Sequence, residues 1–144
     1  MLYLSEFYFP SEDVEDNFLF KIGETCYTTF YPFGILTRHS LNTLEFGDIT
    51  LLYGGNGCGK TTVLNVIAET LNLERSTLYN RSNFFEDYTN YCGYDIQKSI
   101  LKGSRIITSD DVFDCMLDVR SINDNIDIKR DELSSILWNT SICS

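Results

Sequence analysis

The chain has 144 residues, a formal net charge of −10 and a pI near 4.4, with 43% hydrophobic and 22% charged residues. That size and composition predict one globular domain, residues 1–144, around a single shallow core. The acidity repels phosphate backbones at long range and argues against a broad nucleic-acid surface, although a local nest of backbone N–H groups still suits a single nucleotide.

The apolar runs are short and broken by polar residues, so none predicts a membrane span. The opening "MLYLSEFYFPSEDVED" is acidic, unlike the basic start and long apolar middle of a signal peptide, and a cytoplasmic protein is expected. Cys26, Cys58, Cys92, Cys115 and Cys143 form no CxxC pair, and His39 is the sole histidine. This pattern excludes a zinc site and a disulfide framework and predicts reduced, mostly buried thiols.

In chain order, the aromatic run at 2–9 predicts a strand, interrupted by Pro10 and the acidic "SEDVED". "FLFKIGETCYTTFYPFGIL" then places two apolar and β-branched runs about Gly23 and Glu24, a hairpin signal, and Tyr31-Pro32-Phe33-Gly34 reads as a second turn. Gly47-Asp48 is a turn before a nearly continuous apolar run at 49–53, the pattern of a strand covered on both faces. The expected first region, 1–53, is thus an antiparallel β layer leading into one buried strand.

After the glycines the period changes. Val63, Leu64, Ile67, Ala68 and Leu71 share one helical face, predicting a helix from residue 60 to 71 or 73. Residues 74 to about 97 are rich in Asn, Tyr and Ser and predict loops with at most one short helix. Ile106 and Ile107 suggest a short strand. Thr108 with Asp111 resembles a capping box, opening a helix marked by Val112, Phe113, Met116, Leu117 and Arg120. Ile128, Leu133, Ile136 and Leu137 continue weaker helical spacing, and residues 139–144 read as unstructured.

Residues 54–61, "GGNGCGKT", satisfy G-x-x-x-x-G-K-[ST] between a predicted strand and a predicted amphipathic helix. Glycines at 54, 55, 57 and 59 allow left-handed backbone that wraps a bulky anion. The N–H groups of Gly55, Asn56, Gly57, Cys58, Gly59, Lys60 and Thr61 would then converge on phosphate, aided by the positive end of the helix. Lys60 would reach the β- and γ-phosphates as the catalytic cation, Thr61 would hold Mg²⁺, and Thr62 would reach the α-phosphate.

"ITLLYGGNGCGKTTVLNVIAETL" resembles the Walker A segment of ABC-type P-loop ATPases. The likeness is greatest to their soluble, AAA/ABC-like branch related to chromosome-maintenance and recombination-repair ATPases. It covers about residues 1–73 and is thinner over 104–122. The resemblance implies an α/β P-loop NTPase fold, an antiparallel β layer beside a partial parallel core with the P-loop helix. It also implies ATP and Mg²⁺ as cofactors, and ATP held between two nucleotide-binding domains. The choice of ATP over GTP rests on it alone.

Residues 74–144 contain no "LSGGQ"-type signature and no apolar run ending in Asp-Glu. Gln97 is the lone glutamine, and His39 precedes the P-loop. The chain therefore reads as the N-terminal half of such an ATPase. Hydrolysis is expected to be slow unless another subunit supplies the signature and Walker B groups, and the partner is expected to be such a subunit or, for ATP sandwiching, a second copy in a homodimer. "IITSDD" leaves two roles open for Asp110 and Asp111, a Mg²⁺ ligand or a helix cap, and the resemblance implies a third, the Q-loop position near the γ-phosphate. Tyr27, Phe30, Tyr31 and Phe33 are adenine-stacking candidates, with core packing as the plainer reading. Arg38 and His39 are read as exposed, and a thiol at Cys58 beside a phosphate nest is expected to be reactive. A small P-loop phosphotransferase and a non-enzymatic assembly subunit are the alternatives.

Overall fold

Seven residues in the run from Leu2 to Tyr8 alternate or cluster as a strand should, and Leu4–Tyr8 forms β1. In the computed structural model, which describes the backbone of residues 2–142 and the side chains of 2–134, β1 is the middle of a three-stranded antiparallel sheet. Its neighbours are β2 (Thr43–Glu45), with Phe7 opposite Leu44, and β3 (Gly93–Ile96), with Phe7 opposite Tyr94. β3 was not foreseen, because a four-residue strand containing Gly93 and Asp95 carries almost no strand signal.

The predicted hairpin about Gly23 is instead helix α1, Glu12–Ile22. Ser11 occupies the N-cap position, and Glu12, Asp13 and Glu15 fill the first turn, where negative charge favours the helix. Val14, Phe18 and Ile22 follow at intervals of four, and Gly23 ends the helix at φ 65°. The acidic cluster read as an interruption is the start signal of a helix. The turn predicted at Tyr31 to Gly34 is present and runs into a 3₁₀ turn, Thr37–His39, which leaves Arg38 and His39 exposed.

Helix α2 (Lys60–Thr70) and the short α3 (Phe85–Asn90) complete the core. Phe7 of β1 and Phe9 just after it, Phe33 and Leu36 of the turn, Val63, Val66 and Ile67 of α2, and Phe85 and Tyr88 of α3 form one buried cluster. Each fully buried side chain of this size contributes about 1.5–3 kcal/mol. Phe33 lies flat on Phe18 at 4.5 Å and edge-on to Tyr88 at 4.9 Å, so aromatic packing ties α1, the turn and α3 together.

The buried strand expected at 49–53 does not form. These residues are irregular, and Ile49, Leu51 and Tyr53 are 85%, 86% and 101% exposed. A strand covered on both faces needs neighbours to take its backbone hydrogen bonds, and both edges of β1 are already occupied by β2 and β3. Among the described residues, parallel pairing is confined to one bridge between Glu74 and Arg105, so the partial parallel core is reduced to that bridge. The strand suggested at Ile106 and Ile107 is likewise absent.

The chain divides between Ile106 and Ile107 into two compact units. The second holds α4, Ser109–Ile142, one continuous helix over both stretches of helical spacing and on through residues 139–142, which read as unstructured. No glycine or proline occurs in it, so nothing in the backbone stops it. Ile136, Leu137 and Cys143 lie outside the described side chains. The other four cysteines are free, but Cys26 and Cys115 are exposed and Cys58 and Cys92 half-buried, so the thiols are not mostly buried. Burial pushes the Cys92 thiol up to about 12.

Candidate functional site

Residues 56–62 and Ile35 line a cavity of about 400 Å³, within the range that takes small ligands. Its floor is the start of α2. Gly59 sits at the N-cap with φ 85°, and a Cβ there would lie 3.2 Å from Leu36 Cδ2 and 3.3 Å from Ile35 Cγ2. Glycine is therefore required twice over at this position, by backbone conformation and by the close approach of the Ile35–Leu36 wall. At Gly54 a Cβ would come within 2.5 Å of Cys58 Sγ, so the loop closes on itself there. Gly57 also has positive φ (79°), but Gly55 does not, contrary to expectation, and space beside it is open.

Helix geometry leaves the N–H groups of Gly59, Lys60, Thr61 and Thr62 without intrahelical acceptors, so they suit an anion at this end. Lys60 folds back over the loop. Its Nζ donates to the carbonyls of Gly54 and Gly55, each at 2.7 Å, and to Cys58 Sγ at 3.4 Å. The ammonium is thus held at the cavity that its own loop encloses. Asn56 and Gly57 are exposed at the rim, as is Thr61, whose hydroxyl is a hard oxygen donor of the kind Mg²⁺ prefers. The donor set fits a Mg²⁺-bound polyphosphate: N–H groups and an ammonium for the anion, a hydroxyl for the cation.

The wall is braced from behind. Glu15 of α1, 2% exposed, accepts from the Gly34 N–H at 2.6 Å and from the Thr37 hydroxyl at 3.2 Å, tying α1 to the segment that carries Ile35 and Leu36. Burial raises the Glu15 carboxyl above its ordinary value, partly offset by these two donors and by the Tyr88 hydroxyl. Tyr88 is raised in turn, by burial first and then by the Glu15 charge. Glu15 has no motif to mark it. It is one of several acidic residues in the first turns of α1, and nothing in the spacing sets it apart from them.

The aromatic candidates pack rather than line the cavity. Phe30 stacks on Phe84 at 5.0 Å, Tyr27 meets Phe84 edge-on at 5.4 Å, and Tyr31 stacks on Phe85 at 5.7 Å. Asp111 belongs to the second unit. Its Oδ2 accepts from the Thr108 N–H at 2.6 Å and from the Thr108 hydroxyl at 2.8 Å, which is the capping arrangement at the start of α4. Asp110, next to it, is exposed.

A glycine loop that closes on a lysine and leads straight into a helix N-terminus defines a P-loop nucleotide-binding protein. The family model described as ABC transporter matches residues 38–142, and the chain belongs to that family of ATP-binding domains. No curated protein and no solved structure matches the chain. Among the described residues no helix is long and apolar enough to cross a membrane.

Proposed function

We propose that this chain binds Mg²⁺-ATP in the cavity lined by residues 56–62, with Lys60 as the principal phosphate-binding and catalytic cation. The observation that carries this reading is the Lys60 ammonium held over its own loop, beside the free N–H groups of α2. Lys60 leaves the Gly54 and Gly55 carbonyls for the β- and γ-phosphate oxygens, and the N–H groups from Gly55 to Thr62 take the remaining charge. Thr61 holds Mg²⁺, which neutralises charge on the phosphates when bound. Asp111 is assigned to capping α4.

Acceleration of phosphoryl transfer needs a positioned water and further charges around the γ-phosphate. No signature or Walker B sequence accompanies Lys60 here, so turnover is slow until another subunit supplies those groups. The "GGNGCGKTT" segment favours the soluble chromosome-maintenance and repair branch of the family, as a single domain working in a pair.

Calorimetry with Mg²⁺-ATP, beside Lys60→Ala, tests the reading. The expected result is binding by the wild type, weakened at least about tenfold in the variant through loss of a charge-assisted contact, with little phosphate release from either. Equal binding by both proteins overturns the site. Brisk Lys60-dependent phosphate release overturns the need for a partner.

A further inference from the structure

Behind the cradle, a partly buried polar relay ends on Thr62. Arg75 Nη1 donates to Asn65 Oδ1 at 2.7 Å, Asn65 Nδ2 donates to Tyr31 Oη at 3.4 Å, and the Tyr31 hydroxyl donates to Thr62 Oγ1 at 3.3 Å. Asn65 and Thr62 are 1% and 6% exposed, so these groups have little recourse to water. Both ends of the relay's middle are anchored. The Arg75 guanidinium lies 4.2 Å above the Tyr79 ring, whose hydroxyl bonds Glu69, and Glu69 pairs with Arg81 at 2.8 Å. The Tyr31 ring stacks on Phe85, and its carbonyl accepts from Ser82.

The direction of every bond follows from Arg75. A guanidinium only donates, so the Asn65 atom facing it is the carbonyl oxygen, and the amide NH₂ must point to Tyr31. That NH₂ also only donates, so Tyr31 Oη accepts and its single proton goes to Thr62 Oγ1. The hydroxyl proton of Thr62 is then not spent on Tyr31, and Thr62 lines the cradle. A hydroxyl that accepts from Tyr31 and keeps its own proton to donate is matched to an anionic oxygen.

We infer that Tyr31, Asn65 and Arg75 are positioning residues that set the polarity of Thr62, making it a dedicated donor to a phosphate oxygen of the bound nucleotide. This rests on the nucleotide-binding reading above. Tyr31 therefore serves the site through its hydroxyl.

The test is Mg²⁺-ATP binding by calorimetry on the full chain, with thermal unfolding of each variant alongside. Thr62→Val is expected to weaken binding about tenfold, as for loss of a hydrogen bond to a charged group, and Tyr31→Phe by a smaller factor. Tyr31→Phe added to Thr62→Val is expected to change affinity no further. Asn65→Asp is the sharpest variant. It keeps the volume and the Arg75 contact but presents an acceptor to Tyr31, so the relay reverses and Thr62 spends its proton on Tyr31. Its affinity should fall to the Thr62→Val level while its folding is retained. Wild-type affinity in Tyr31→Phe and Asn65→Asp, or a Tyr31→Phe penalty that persists on Thr62→Val, overturns the relay while Lys60-dependent binding still stands. Absence of Lys60-dependent binding in the wild type overturns both readings.

Discussion

Helices α2 and α4 carry similar apolar spacing and come to opposite environments. In α2, Val63, Val66, Ile67 and Ala68 are all buried against β1, the Phe33–Leu36 turn and α3. In α4, every described side chain from Val112 to Ser134 is exposed, including Phe113, Met116, Leu117 and Ile122 at 52–63%. Helical periodicity therefore specified both helices, but it named a partner for neither. The partner of α2 exists because three other segments converge on one of its faces. The same contrast separates β1, paired on both edges, from residues 49–53, which are as strand-prone and stand unpaired.

The comparison is broken most directly by truncating one phenylalanine on each side. Phe85→Ala, at a fully buried position, is expected to cost about 3–5 kcal/mol in urea unfolding. Phe113→Ala, 63% exposed, should stay within about 0.5 kcal/mol. Comparable losses would mean that the apolar face of α4 is covered in solution.

A smaller effect sharpens the account of α4. With little burial, its start depends on local hydrogen bonds, and Asp111→Ala removes both bonds to Thr108. The expected cost is about 1 kcal/mol, seen as faster amide exchange in the first turns of α4 with α2 unchanged. Protection lost equally in both helices would show that Asp111 does more than cap.

Glu15 is a group that only a built core can hold. The buried Glu15 carboxyl is raised above its ordinary 4.5, so between that value and its native one the folded chain retains a proton that the unfolded chain has lost. Stability from this site is then fully present in acid and fades as pH rises through the native value. Glu15→Gln keeps the acceptor for Gly34 but removes the titration. In urea unfolding at a series of pH values, the wild type should gain on the variant as pH falls from neutral toward 4.5. A constant difference across that range would place Glu15 in contact with water.

Local sequence sufficed for the glycine loop at 54–59 and the extent of α2, because a P-loop is local: its glycines, Lys60 and the helix that follows are neighbours in the chain. β1 and the turn at Tyr31 to Gly34 were legible for the same reason. α1 was misread although its signals, Ser11 and the acidic first turn, are local too; Pro10 and the charge run outweighed them. The rest depended on how distant segments pack. That packing paired β3 with β1, left 49–53 exposed, and brought Glu15 to Gly34 and Arg75 to Asn65. These are contacts between side chains and strands whose positions depend on where several elements pack at once. A residue's spacing along the chain states which face it shares, and burial depends on what else arrives at that face.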